Sequence, residues 1–506
     1  MAIMTSEYLQ KAAEFLQAGQ LGEAEPLLRE YLAQFSDDIP ALNYYSFVLA
    51  KLGRIEEAVG YAKKAVDLQP ENVDLLANLS LVLCYGKLWN EGETIARMAL
   101  ALNPEHRNAA DFLGRALLNQ NKPAEALEWF RKADLGEAPN AELEFRVGTA
   151  HLMLNQLDEA EKHLRRAVEL HSPYPDAWNN LGVTFRCMGR YREALEFYHR
   201  ALEIKSEYSD AHLNRAVTWL QLGNFEQGWM EFEWRFLSHS LLLEKFTQPL
   251  WDGTSFEGKS LLIFAEQGFG DVIQLARFFP KVKEKGGTVI VQCQPELKRW
   301  LEGHPGVDSL IARGEQKPPF DLQLPIFSLP RVFKTQLETI PPVVNHFKDI
   351  TLSVLPEEKG DAFKIGIAWS GSQRHSDDSA RSCKLEYFQN LQNIPKVRLY
   401  SLQKDFQGTL PSGIFDAVQD CRDFYDTARV IQRLDLIICV DTAVAHLAGT
   451  LGKPVWLLTA IPPDWRWLID RTDSPWYPSL RIFRQQKRGD WTELFNRVQT
   501  ELSLIQ

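Results

Sequence analysis

Residues 434–458 read LDLIICVDTAVAHLAGTLGKPVWLL, and this stretch decides the fold class. Its first apolar run, residues 436–440, holds Leu, Ile, Cys and Val without alternation, the pattern of a parallel strand covered on both faces. A polar turn opens at Asp441, a short helix carries His446, and a second apolar strand follows Gly452-Lys453-Pro454. Polar groups at the carboxyl end of such a strand share their space with a helix N-terminus, which favours a bound anion. Asp441 and Thr442 are candidates to cap that helix, and His446, about one turn on, lies near the same opening.

Outward from this stretch the same alternation continues. Residues 363–369 and 397–402 are apolar strands; the first ends at Ser370-Gly371-Ser372, and the second is followed by Gln403 and Lys404. Residues 423–428, Asp426 among them, open a helix, and residues 463–478 form an aromatic loop containing Trp465 and Arg466. Residues 491–505 read as an amphipathic closing helix. Further upstream, residues 260–264 form a short strand leading into Glu266-Gln267-Gly268-Phe269-Gly270-Asp271 and a helix. Strand, glycine turn and helix make the first step of a doubly wound sheet, and the two glycines let backbone approach a ligand. Residues 288–291, 309–311 and 321–324 supply further strands of this half. A Pro-rich passage around Pro341-Pro342 and a polar linker, residues 356–360, separate the two halves.

The first part of the chain has a different period. Small residues recur every 34 positions at Ala24, Ala58, Gly92, Ala126, Ala160, Ala194 and Gly228. A turn-forming glycine stands five residues earlier at Gly19, Gly53, Gly189 and Gly223, while Lys87 and Asn121 hold that place in two units. These features resemble the tetratricopeptide repeat, whose paired antiparallel helices need small residues where backbones meet. About seven units cover residues 6–236, so the expected architecture is an α solenoid followed by α/β. A repeat cannot bury its apolar face alone, and the stack leaves a groove suited to a protein or peptide partner. The aromatic stretch 229–236 reads as a buried seam where solenoid and second domain join.

Composition limits the function classes. At 506 residues, 45% hydrophobic and 24% charged, the chain is ordinary for several packed domains. A net charge of -11 argues against a nucleic-acid footprint. Six scattered cysteines without a CxxC pair suggest neither a zinc site nor a disulfide framework, consistent with a cytoplasmic protein. No window is apolar enough to span a bilayer, and the first residues lack the pattern of a signal peptide.

The motif D-T-A-x-A-H-L-A-x-x-L-G-K-P, beginning at Asp441, resembles the signature of heptosyltransferase-like (family 9) glycosyltransferases. The G-F-G-D turn ending at Asp271 is similar to the turn after the first strand of those enzymes. The resemblance covers about residues 259–504 and implies two Rossmann-like halves of GT-B type. It further implies a nucleotide-diphosphate sugar as co-substrate, with neither a further cofactor nor a metal, and inversion at the transferred sugar. Asp271 would be the catalytic base, needed because an alcohol is a poor nucleophile at neutral pH. Donor contacts would come from Gly268, Gly270, Ser370, Gly371, Asp441, Thr442 and His446, with Arg381 neutralising the diphosphate. Arg374 and His375 are alternatives to Arg381 in the same loop, and Asp377-Asp378 in that loop is no convincing metal motif. Gln403 belongs with the donor contacts, and Lys404 either assists the phosphates or is a solvated lysine. Asp426 is a ribose contact or a helix N-cap; Trp465 and Arg466 clamp the donor or pack between the halves. The lipopolysaccharide enzymes of this family lack a solenoid, so their heptose donor and lipid acceptor are not carried over.

The expected divisions are a solenoid at 1–236, a linker at 237–258, an N-terminal half at 259–355 and a C-terminal half at 356–506. The expected function is transfer of a sugar to an acceptor, a protein among the candidates, recruited by the solenoid. The alternative is a repeat scaffold whose transferase-like domain is degenerate or only senses a nucleotide.

Overall fold

The structure, a computed structural model, describes residues 2–134, 140–237, 244, 246–266, 268–347, 362–371, 381–404 and 406–505. Gln267, Ser372, Arg374, His375, Asp377, Asp378 and the linker 356–360 lie outside the described residues. The chain forms two compact units, Met1–Thr184 and Phe185–Gln506.

The first unit is helical throughout its described residues. Helices pair as hairpins, as in Ile39–Lys51 with Ile55–Leu68 and Val73–Tyr85 with Trp89–Leu102. The first helix of several pairs is capped by a short polar side chain: Asp38 accepts from the Ala41 amide at 2.9 Å, and Asn72 accepts from Asp74 and Leu75. Ala24, Ala58, Ala126 and Ala160 are fully buried, as close helix approach requires. The inter-helix turn places one residue in the left-handed region. Gly19 and Gly53 do so at φ +70° and +80°, and Lys87, Asn121 and Asn155 are forced there at +59° to +61°.

The second unit begins with the last helices of the repeat pattern, including Tyr191–Ile204, Ser209–Gln221 and Phe225–Phe232, then a 3-10 turn at Glu233–Phe236. The repeat period therefore continues beyond the point where the chain divides by contact. The reason is apolar: Phe225, Trp229 and Phe232 are buried in the same core as Trp465, Trp476 and the first sheet.

Four parallel strands, β1 (Ser260–Phe264), β2 (Thr288–Cys293), β3 (Ser309–Ala312) and β4 (Leu322–Pro325), form a sheet ordered β3-β2-β1-β4. Six more are β5 (Phe363–Ala368), β6 (Val397–Ser401), β7 (Ile414–Asp416), β8 (Leu436–Val440), β9 (Val455–Thr459) and β10 (Leu480–Arg484). They form a second parallel sheet ordered β10-β9-β8-β5-β6-β7. Counted from β5, that order is 3-2-1-4-5-6, the doubly wound nucleotide-binding topology. β8 is buried at every position, the reason its sequence shows no alternation. Helix Trp491–Ile505 closes the far face through Leu494, Val498 and Leu502.

Candidate functional site

In the second sheet the strand order reverses between β5 and β8, and ligands of such sheets bind beyond the carboxyl ends of those strands. Ser370 and Gly371 follow β5; Asp441 and Thr442 follow β8. Gln403 closes the turn after β5, because its Oε1 accepts from the Trp369 and Ser370 amides at 3.2 and 3.0 Å. The Gly371 amide donates to Ser382 Oγ at 3.2 Å. These contacts fix the turn and occupy the amides that the sequence reading gives to a diphosphate. Lys404 donates to the Cys421 and Val418 carbonyls, at 2.6 and 3.4 Å, so its ammonium anchors a loop.

Thr442 is the N-cap of helix Ala443–Thr450, without a side-chain capping bond. Burial, with the nearby Asp464 carboxylate, pushes the Asp441 carboxyl up to about 6; Arg466 and Arg381 oppose the rise. Arg381 therefore stands close enough to act on the strand end. His446 is 4% exposed, its Nδ1 lies 3.0 Å from the Tyr477 hydroxyl, and its ring stacks on Trp467. Burial, reinforced by Arg466, Arg277 and Arg381, holds this imidazole far below its usual pKa, so it is neutral.

The first half brings its glycine turn to the same place. Helix Phe269–Leu275 starts at Gly268, whose amide donates to Asp271 Oδ2 at 2.7 Å. The other oxygen, Oδ1, accepts from Arg466 Nη2 at 2.5 Å. Burial raises the Asp271 pKa above the usual carboxylate value, against the pull of Arg466 and the Gly268 amide. Gly270 explains itself by packing: a Cβ there would stand 2.7 Å from His446 Cδ2. Helices Phe269–Leu275 and Ala443–Thr450 thus meet with no room for a side chain at this point.

Arg466 is the hub. Besides Asp271 it donates to Gln274 Oε1 at 2.6 Å and to Asp464 Oδ1 at 2.8 Å, and it is 7% exposed. Trp465 is buried edge-on against Trp229 and Trp476, which places it in packing. Asp426 is not the N-cap of its helix: Asp423 is, accepting from the Asp426 amide at 3.0 Å. The Asp426 carboxylate pairs with Arg299 of the first half and with Arg422. Burial alone would raise its pKa, but the Arg422 amide and these guanidiniums hold it low. Asp426 is thereby a tie between halves. Sequence reasoning passed over Gln274, Asp464 and Tyr477, which lack a motif and acquire meaning only through partners far along the chain. Among the described residues, no group of three or more His, Cys, Asp or Glu is placed to hold a metal.

Comparison with known proteins finds two kinds of likeness along the chain. The model of Glycosyltransferase family 9 (heptosyltransferase) matches residues 423–461, and tetratricopeptide repeat models match 9–73, 89–142 and 175–208. The chain joins tetratricopeptide repeats to a family 9-like glycosyltransferase domain. Protein FlbA of Caulobacter vibrioides is 25% identical over 324 residues, 54% of this chain and 52% of FlbA. Protein O-mannosyl-transferase TMTC3 of Homo sapiens is 27% identical over 118 residues, 23% of this chain and 13% of that protein. The chain thus spans about half the length of the first relative and a small part of the second. A solved tetratricopeptide repeat protein from Parabacteroides merdae aligns at 16% identity with a TM-score of 0.37, over 45% of this chain and 91% of its own. No helix among the described residues is long and apolar enough to cross a membrane.

Proposed function

We propose that the chain is a glycosyltransferase moving a sugar from a nucleotide-diphosphate sugar to an acceptor, a protein or peptide, recruited by the repeats. One observation carries this reading. Asp271 of the first half is bonded to Arg466, and Asp441, within the family-matched segment of the second half, feels the same guanidinium. Two loops that each end a sheet's first βα step or switch-point strand therefore converge on one charge.

The chemistry follows from the groups. The acceptor oxygen attacks the anomeric carbon, its proton passes to Asp271, and the bond from that carbon to the diphosphate breaks. A single displacement of this kind inverts the sugar. Asp271 has two partners for about four carboxylate lone pairs, which leaves room for an acceptor hydroxyl. Its raised pKa improves it as a base. Arg381 and the N-terminus of helix Ala443–Thr450 offset the charge gained by the leaving diphosphate without a metal.

A second reading, a nucleotide-sensing scaffold, draws on the buried His446 and on the Ser370 and Gly371 amides, whose bonds are already made. Calorimetry with UDP-, ADP-, GDP- and dTDP-sugars, on wild type and Asp441→Asn, separates the readings when followed by donor turnover. The transferase reading expects one preferred donor, its turnover, and a loss of about 10²–10⁴ in rate for Asp271→Asn. Binding without turnover supports the sensor, and no binding by any donor overturns both.

A further inference from the structure

Arg235 is fully buried at the end of the repeat pattern, and its five N–H donors are all used. Nε and Nη2 bond Glu266 at 2.8 and 3.2 Å, and Nη2 also reaches Ser328 Oγ at 2.8 Å. Nη1 bonds Glu233 at 2.7 Å and the Phe232 carbonyl at 3.2 Å. Glu266 in turn accepts from the Phe327 amide at 2.9 Å. One guanidinium thus locks three segments: the end of the last repeat, the turn after β1 that leads to Asp271, and the 3-10 turn Ile326–Ser328 that follows β4.

The same helical hairpin grips the other side. Gln221 Nε2 donates to the Pro463 carbonyl at 2.6 Å, and Trp229 packs edge-on to Trp465 at 5.0 Å. Pro463 and Trp465 lead directly into Arg466. Both members of the Asp271–Arg466 pair therefore hang from residues 209–236, although 195 positions separate them.

We propose that this last hairpin is a positioning element of the site, in which Arg235 acting through Glu266, and Gln221 acting through Pro463, hold Asp271 and Arg466 in register. The proposal rests on the reading of Asp271 as proton acceptor. A partner bound at this last hairpin would then have a direct mechanical route to the base.

Hydrogen exchange of the full chain tests it without any ligand. Gln221→Met removes one bond at nearly constant shape. Arg235→Met/Glu266→Met removes the buried pair together, and Glu233 keeps Arg331 at 3.0 Å, so no carboxylate is left without a cation and the fold is retained. The expected result for Gln221→Met is exchange about fivefold faster at residues 464–468. For the double variant, acceleration is expected at Gly268 and Phe327. The remaining strands should keep wild-type protection in both. Unchanged loops, or acceleration spread evenly over the α/β sheets, would overturn the proposal in favour of plain packing. Turnover of the donor selected by calorimetry supplies the second arm: kcat falls while the donor KM holds for Gln221→Met, and an unchanged kcat also overturns it. If wild type turns over no donor, the transferase reading fails while the exchange arm still decides whether the hairpin holds the two loops.

Discussion

Gly270→Ala tests whether the glycine of the G-F-G-D turn serves a ligand or the protein's own packing. The added Cβ would lie 2.7 Å from His446 Cδ2 and 3.3 Å from Nε2. The imidazole has little freedom to yield, because Tyr477 holds Nδ1 and Trp467 covers its face. Overpacking of this kind costs about 1–3 kcal/mol. Against it stands the helix preference of Ala over Gly, about 0.5–1 kcal/mol near the start of Phe269–Leu275. The net expectation is a destabilisation between about 0 and 2.5 kcal/mol, from those two terms.

The decisive comparison is with His446→Ala. Removing the ring empties the space that the Cβ needs, so Gly270→Ala in that background becomes neutral or stabilising by the helix term alone. A double-mutant cycle in urea, followed by tryptophan fluorescence of the α/β part, reads a coupling of about 1–3 kcal/mol. If Gly270→Ala costs the same with and without the imidazole, the reasoning is refuted and the glycine's purpose lies elsewhere.

Three further outcomes are expected. The Asp441 carboxyl is held near 6 rather than 3.8 by burial and Asp464, so the folded state binds the proton more tightly. Stability is then lost as pH rises from about 4 to 6, by an amount on the order of 3 kcal/mol, and Asp441→Asn removes that slope in melting curves. Arg466→Met leaves the largely buried Asp271, and the partly exposed Asp464, without their cation, which costs about 3 kcal/mol in denaturant unfolding; Arg466→Lys recovers little of it, because an ammonium lacks the fork that reaches both and Gln274. Lys87, at φ +59°, sits where other repeats have glycine, so Lys87→Gly stabilises the repeats by about 1 kcal/mol in denaturant unfolding, and Lys87→Val destabilises them.

The fold was legible where a residue's neighbours in sequence decide its conformation. β8 announces itself by five consecutive apolar residues, and the repeats by small residues at a fixed interval that return as buried helix contacts. β7 escaped because Ile414–Asp416 is three residues long. β10, Leu480–Arg484, escaped because its two arginines interrupt the apolar run right after an aromatic loop. Both are outer strands of their sheet, where a short or broken apolar pattern suffices.

The site was legible only as far as its motifs. Asp271, Asp441 and His446 stand in recognisable spacing, and the chain does bring their loops to a common charge. What spacing cannot show is which polar group already has a partner. Asp426 looks like a free carboxylate at a helix start, yet the preceding Asp423 takes the cap and Arg299, from the other half, takes the charge. Gln403 looks like a ligand contact, yet its amide oxygen is committed to the turn after β5. Arg466 and Gln274, 192 positions apart, meet only because the halves and the last repeat share one apolar core. A pair assembled that way responds to anything that moves Trp229 against Trp465. The last repeat hairpin and the Asp271–Arg466 pair are consequently joined through packing, and a change in that hairpin's contacts is expected to be felt at Asp271.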